Sequence, residues 1–317
     1  MPGAIHFIRA QKKCSLDVLE LYHRHTSMGI VAKRDMINWT YMKRTFLAKL
    51  QTNGVYYLIS ALIVLIGAPL YQFLILIPQG YNDALAATSK GHFSSYLTWI
   101  SNHIGQFLVY RVLLIIAFAL LISLPFTLFR IIVAQEVLGR DEAEGESEGE
   151  EEPESEDKEE TDGMPAFSWR GKGYAVLAAW SGLFGILLYL LGTLASTTYL
   201  SIVARTLANT TTIPDNFPAL SATFSIITNT VGGGLLTLAC LFFGATIARS
   251  GRNLWPGIWV AFGYMALALT ALLSGSAVAV ALAPTEGQSV LTTPAILLFA
   301  IWVLWFGLML VRLKPEE

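Results

Sequence analysis

Asn229, Gly233 and Thr237 follow one another at four-residue intervals within TNTVGGGLLTL, so on an α-helix they share one face. An amide, a bare backbone and a hydroxyl on one stripe can hydrogen-bond a passing solute, but they cannot relay a proton. The three consecutive glycines of this stretch, Gly232 to Gly234, weaken the helix and can free backbone carbonyls toward a cavity. One expectation for the stripe is therefore a substrate path. The other is close helix packing, because small faces also let membrane helices approach one another. Comparable stripes run through Ser181, Gly185, Gly192 and Ser196, and through Gly263, Thr270, Ser274, Ala277 and Ala281.

The elements that must carry these stripes are set by composition. Of 317 residues, 54% are apolar and only 14% charged, against roughly a quarter charged in an ordinary soluble domain. Six stretches reach the roughly 20 apolar residues that a helix needs to cross a hydrocarbon core: 55–78, 110–133, 175–199, 224–248, 257–282 and 291–312. The predicted fold class is all-α, a polytopic membrane protein of six transmembrane helices. An N-terminal interfacial helix precedes them, and a disordered acidic cytoplasmic loop interrupts them.

Four regions follow from the pattern: an arm at 1–53, helices one and two at 54–138, an acidic loop at 139–170, and helices three to six at 171–317. In the arm, Met36, Trp39, Phe46, Leu47 and Leu50 share about a third of a helical circumference, with Asp35 as a cap. A basic amphipathic helix of this kind lies at an anionic lipid surface or packs under its own bundle. Residues 139–163 carry fourteen carboxylates and no aromatic residue, too little apolar surface to offset the entropy of ordering. The arm, the acidic loop, the fourth loop and the tail hold seventeen lysines and arginines, whereas the opposite loops hold Lys90, Arg111 and Arg205. The positive-inside rule then places both termini in the cytoplasm and the chain in the cell membrane.

The central portions of the spans contain no Asp, Glu, Lys or His, which argues against a proton pump or a proton-coupled carrier. The histidines fall in the arm and in the first loop, so no axial ligands are available for a membrane-buried haem. HExxH, GxSxG and GxxxxGK[ST] are all absent. The expectation is a protein that is not an enzyme, with no catalytic residue, metal or cofactor and no nucleic-acid partner. Its partners are the lipid bilayer and further subunits in a homo- or hetero-oligomer. Cys14 and Cys240 are expected to be free thiols.

The stretch YMKRTFLAKLQTNGVYYLISALIVL leads a basic helix into the first span, LPFTLFRIIVAQEVLG ends the second with Pro125, Arg130, Glu136 and Gly139, and RGKGYAVLAAW brings Gly171 and Lys172 before the third. In these features the chain resembles the six-span permease subunits of class-two ABC exporters. The resemblance implies a membrane-embedded permease working with a separate ATPase, with Arg130, Glu136 and Gly139 at the coupling contact and Asn229, Gly233 and Thr237 on the substrate path. Where that family has a short coupling segment, this chain inserts its acidic run. The alternative is a non-transporting membrane scaffold or accessory subunit of a larger membrane complex.

Overall fold

The computed structural model describes residues 47–89, 91–147, 169–210, 212–283 and 290–313. Most of the arm, residues 148–168 and the tip of the last loop lie outside them, and with them most of the expected interfacial helix. Among the described residues there is no strand. Six helices are long and apolar enough to cross a membrane: α1 (Leu47–Gln79), α4 (Ile104–Gln135), α5 (Gly173–Asn209), α6 (Phe217–Gly251), α7 (Gly257–Leu282) and α8 (Thr292–Val311). Two short helices, α2 (Tyr81–Ser89) and α3 (Phe93–Asn102), fill the first loop. The chain is thus a multi-pass helical membrane protein.

Neighbours in sequence are neighbours in space. α1 packs on α4, α4 on α5, α5 on α6, α6 on α7 and α7 on α8, and α8 returns to α1, closing a ring. Two glycines make the closing seam. A Cβ at Gly54 would lie 2.8 Å from Leu310 Cβ, and one at Gly307 would lie 2.9 Å from the Gly54 carbonyl oxygen. Gln51 Nε2 donates to the Leu313 carbonyl at 2.7 Å, so the first and last described turns meet at one end of the bundle, here the proximal end. Stacked rings fill the ring's interior, among them Phe262 on Trp302 at 4.8 Å and Tyr57 on Phe306 at 5.6 Å.

Two spans depart from regular winding. α1 widens into π-helical turns at Ile63–Gly67 and Gln72–Leu76, on either side of Pro69, whose ring removes a backbone donor. α4 breaks after Ala119 and resumes at Leu124. The Tyr57 hydroxyl braces that break, bonded to Ser123 Oγ at 2.9 Å and Thr127 Oγ1 at 2.8 Å, while Asn53 Nδ2 donates to the same threonine at 3.1 Å.

Two expectations are corrected here. The disordered run was expected from residue 139, but the helix resumed at Leu124 continues to Ser147. Extending an existing helix through Glu- and Ala-bearing sequence needs no new nucleus, which is why its first nine residues are helical. The second span begins at Ile104, not 110, so Arg111 stands two turns inside it and is not a loop residue. The first loop is itself packed. Gly80 and Gly91, at φ of 81° and 79°, turn the chain so that Tyr81, Tyr96, Leu97 and Trp99 bury against Phe107, Val203 and Phe217 as an aromatic cap on the distal end.

Candidate functional site

Helix α6 loses its regular α-winding over Ile226–Gly232 and adopts π-helical turns. This irregularity precedes the glycine run and ends on its first member. Close approach of α5 explains the place. A Cβ at Gly185 would lie 2.9 Å from the Leu236 backbone nitrogen and 3.0 Å from the Gly232 carbonyl oxygen, and Gly192 faces the Thr228 side chain directly. α5 is thus seated tightly along the π-wound turn of α6. π-turns of this kind concentrate at functional positions.

A cavity opens there, in the distal half of the ring, lined by residues of α4, α5, α6, α7 and α8. It offers about 40 Å³ to the centres of water-sized molecules. A single water needs about 10–15 Å³ by that measure, so the space holds a few. Asn229 and Gly233 both line it, beside Thr228, Tyr189, Ser276 and Thr292. Phe118 and Phe299 form its apolar wall; Phe118 stacks on Tyr189 at 4.0 Å. The Ser276 and Thr292 hydroxyls bond each other at 2.8 Å, joining α7 to α8 at the cavity edge. No Asp, Glu, Lys, Arg or His is among the lining residues. The site can solvate a weakly polar group but has no acid–base pair with which to transform it.

Of the three residues expected on the path, the structure brings two together. Thr237 is buried outside the cavity, where its Oγ1 donates to the Gly233 carbonyl at 2.9 Å. Gly233 also differs from its expected role as a point of close approach: a Cβ there would meet only Ala277 Cβ, at 4.0 Å. The tight contacts belong to Gly185, Gly192, Gly244 and Gly263. Ser276 and Thr292 were not anticipated, since lone hydroxyl residues near span ends carry no periodic signal. Tyr189, in the middle of its span, was missed because an aromatic residue within an apolar run looks like ordinary core.

Arg130, Glu136 and Gly139 lie on one continuous helix, but not on one face. At about 100° per residue, Glu136 is turned by about 240° and Gly139 by about 180° from Arg130. Arg130 is exposed near the proximal end of α4, and the helix runs on past Gln135 to Ser147. Cys240 is a buried free thiol. Comparison of the chain with protein-family models, with curated proteins and with solved structures finds no match.

Proposed function

We propose that this protein is the membrane-embedded permease subunit of an ABC-type transporter, working with a separate ATPase and moving an amphipathic or weakly polar substrate across the cell membrane. The observation that supports it is the Asn229–Gly233 cavity, which a π-wound turn and residues of five spans line together. A path of hydroxyl and amide groups suits a substrate that is not coupled to a proton. The energy then comes from outside the bundle. In this reading both termini are cytoplasmic, and the helical extension of α4 that bears Glu136 and Gly139 offers the ATPase a contact on that side. Beyond its role in such a complex, the chain performs no chemistry of its own.

The test is affinity purification of the full chain in mild detergent, with identification of the co-purifying subunits. An ATPase in the eluate is the expected result. Its absence, with only non-catalytic membrane partners recovered, supports the scaffold alternative. Asn229→Ala then separates path from packing: a variant that assembles and melts like the native protein but loses the cellular phenotype places Asn229 on the path.

A further inference from the structure

Arg111 is the one strongly basic side chain turned into the described bundle, and the cavity reading makes no use of it. It stands seven residues into α4, about 10 Å below the distal start of the helix. Its Nε is enclosed and has no hydrogen-bond partner, and the guanidinium carbon lies 5.3 Å from the Phe107 ring centroid. Among the described residues, the ionisable groups that act on it are the tyrosines Tyr96, Tyr81, Tyr110 and, reaching across from α5, Tyr189. No carboxylate among the described residues pairs with it. Nor can a tyrosinate serve as counter-ion from the cap, since burial holds the Tyr81 phenol well above its ordinary range, ahead of the smaller opposing pull of Arg111. Two further enclosed polar atoms without partners, Gln79 Oε1 and Tyr199 Oη, lie at the same distal end. Tyr199 packs on the same apolar cluster as Tyr81 and Tyr110.

A cation inside a membrane bundle is normally neutralised by a partner. Arginine's fork matches the geometry of phosphate, and phenol hydroxyls can donate to the remaining oxygens. We infer that Arg111, with Tyr96, Tyr110 and Tyr81 around it, forms a binding site for a phosphate-type oxyanion at the distal end of the bundle. The site borders the cavity through Tyr189, but it does not depend on whether the chain transports anything. Two sources supply this chemistry: the phosphodiester of a lipid headgroup entering from the bilayer, and free phosphate.

The full chain, purified in a phosphate-free maltoside detergent, is melted with added phosphatidylglycerol, with diacylglycerol of the same acyl chains, and with inorganic phosphate. Phosphatidylglycerol should raise the melting temperature and diacylglycerol should not. A shift with inorganic phosphate equal to that with phosphatidylglycerol assigns the site to the free ion; a shift with the phospholipid alone assigns it to the headgroup. Arg111→Gln should weaken the apparent affinity about tenfold or more, the loss expected when a charge-assisted bond is removed. Should Arg111→Gln not fold, Arg111→Lys keeps the charge without the fork and should weaken binding while still melting cooperatively. Glu286, outside the described residues, is the control for an internal ion pair. The inference is overturned if no phosphate-dependent shift occurs, if Arg111→Gln or Arg111→Lys keeps the full shift, or if the shift emerges only in Glu286→Gln.

Discussion

Gly185 and Gly233 are glycines of the paired helices α5 and α6, yet their surroundings are opposite. Gly185 sits against the Leu236 backbone nitrogen and the Gly232 carbonyl, neither of which can yield without moving a helix. A Cβ at Gly233 would make only an ordinary van der Waals contact, with Ala277 Cβ at 4.0 Å. Gly185→Ala should therefore destabilise the protein by about 1–3 kcal/mol, the usual cost of overpacking. Gly233→Ala should be neutral or stabilising by up to about 1 kcal/mol, because alanine loses less backbone entropy in a helix. Thermal melts of the two variants in detergent check the pair, and equal losses would show that the cavity face is packed. From sequence the two positions look alike: each is a small residue on a small-residue stripe. Only the tertiary approach of α5 decides which glycine is needed for contact and which borders a space.

At the scale of elements, the break in α4 depends on a side chain from another span. The Tyr57 hydroxyl reaches both Ser123 and Thr127, and the phenol is buried. Removing that oxygen leaves two hydroxyls facing a break that water does not reach easily. Tyr57→Phe is expected to cost about 1–2 kcal/mol, with little effect on helix content. The check is a melting temperature lowered at unchanged far-ultraviolet circular dichroism; an unchanged melt would mean that the break holds without the brace. Element existence was legible in the chain: α7 matches its expected limits of 257–282, and α8 begins one residue later than expected. Apolar runs without competing polar residues leave a helix little choice of ends. α4 was read short because His103 and Gln106 look like loop chemistry, yet both are half-buried at the end of the bundle over which α2 and α3 fold back. No local pattern records that fold. The glycine run did point to the irregular turn of α6, but the turn lies one step earlier, where α5 presses.

For the whole molecule, the arrangement of charge sets the orientation to be tested. Lys49, Arg130, Arg249 and Arg312 are all exposed toward the proximal end, and at the distal end Arg111 is turned inward, leaving Arg205 exposed there. In a Cys14→Ser background, a cysteine at Val290, which is 93% exposed, should react with an impermeant thiol reagent on intact cells. One at position 150 should react only after permeabilisation. Labelling at 150 and protection at 290 would invert the orientation. The ring's sequential order also bears on biosynthesis. Each helix entering the bilayer finds the one before it already in place, whereas the Gly54–Gly307 seam joins the first span to the last and so must form last. Until α8 (Thr292–Val311) arrives, the α1 side of that seam lacks its covering helix. Since a second copy carries a helix of the same sequence, delayed closure would make this seam the place for two nascent copies to exchange segments.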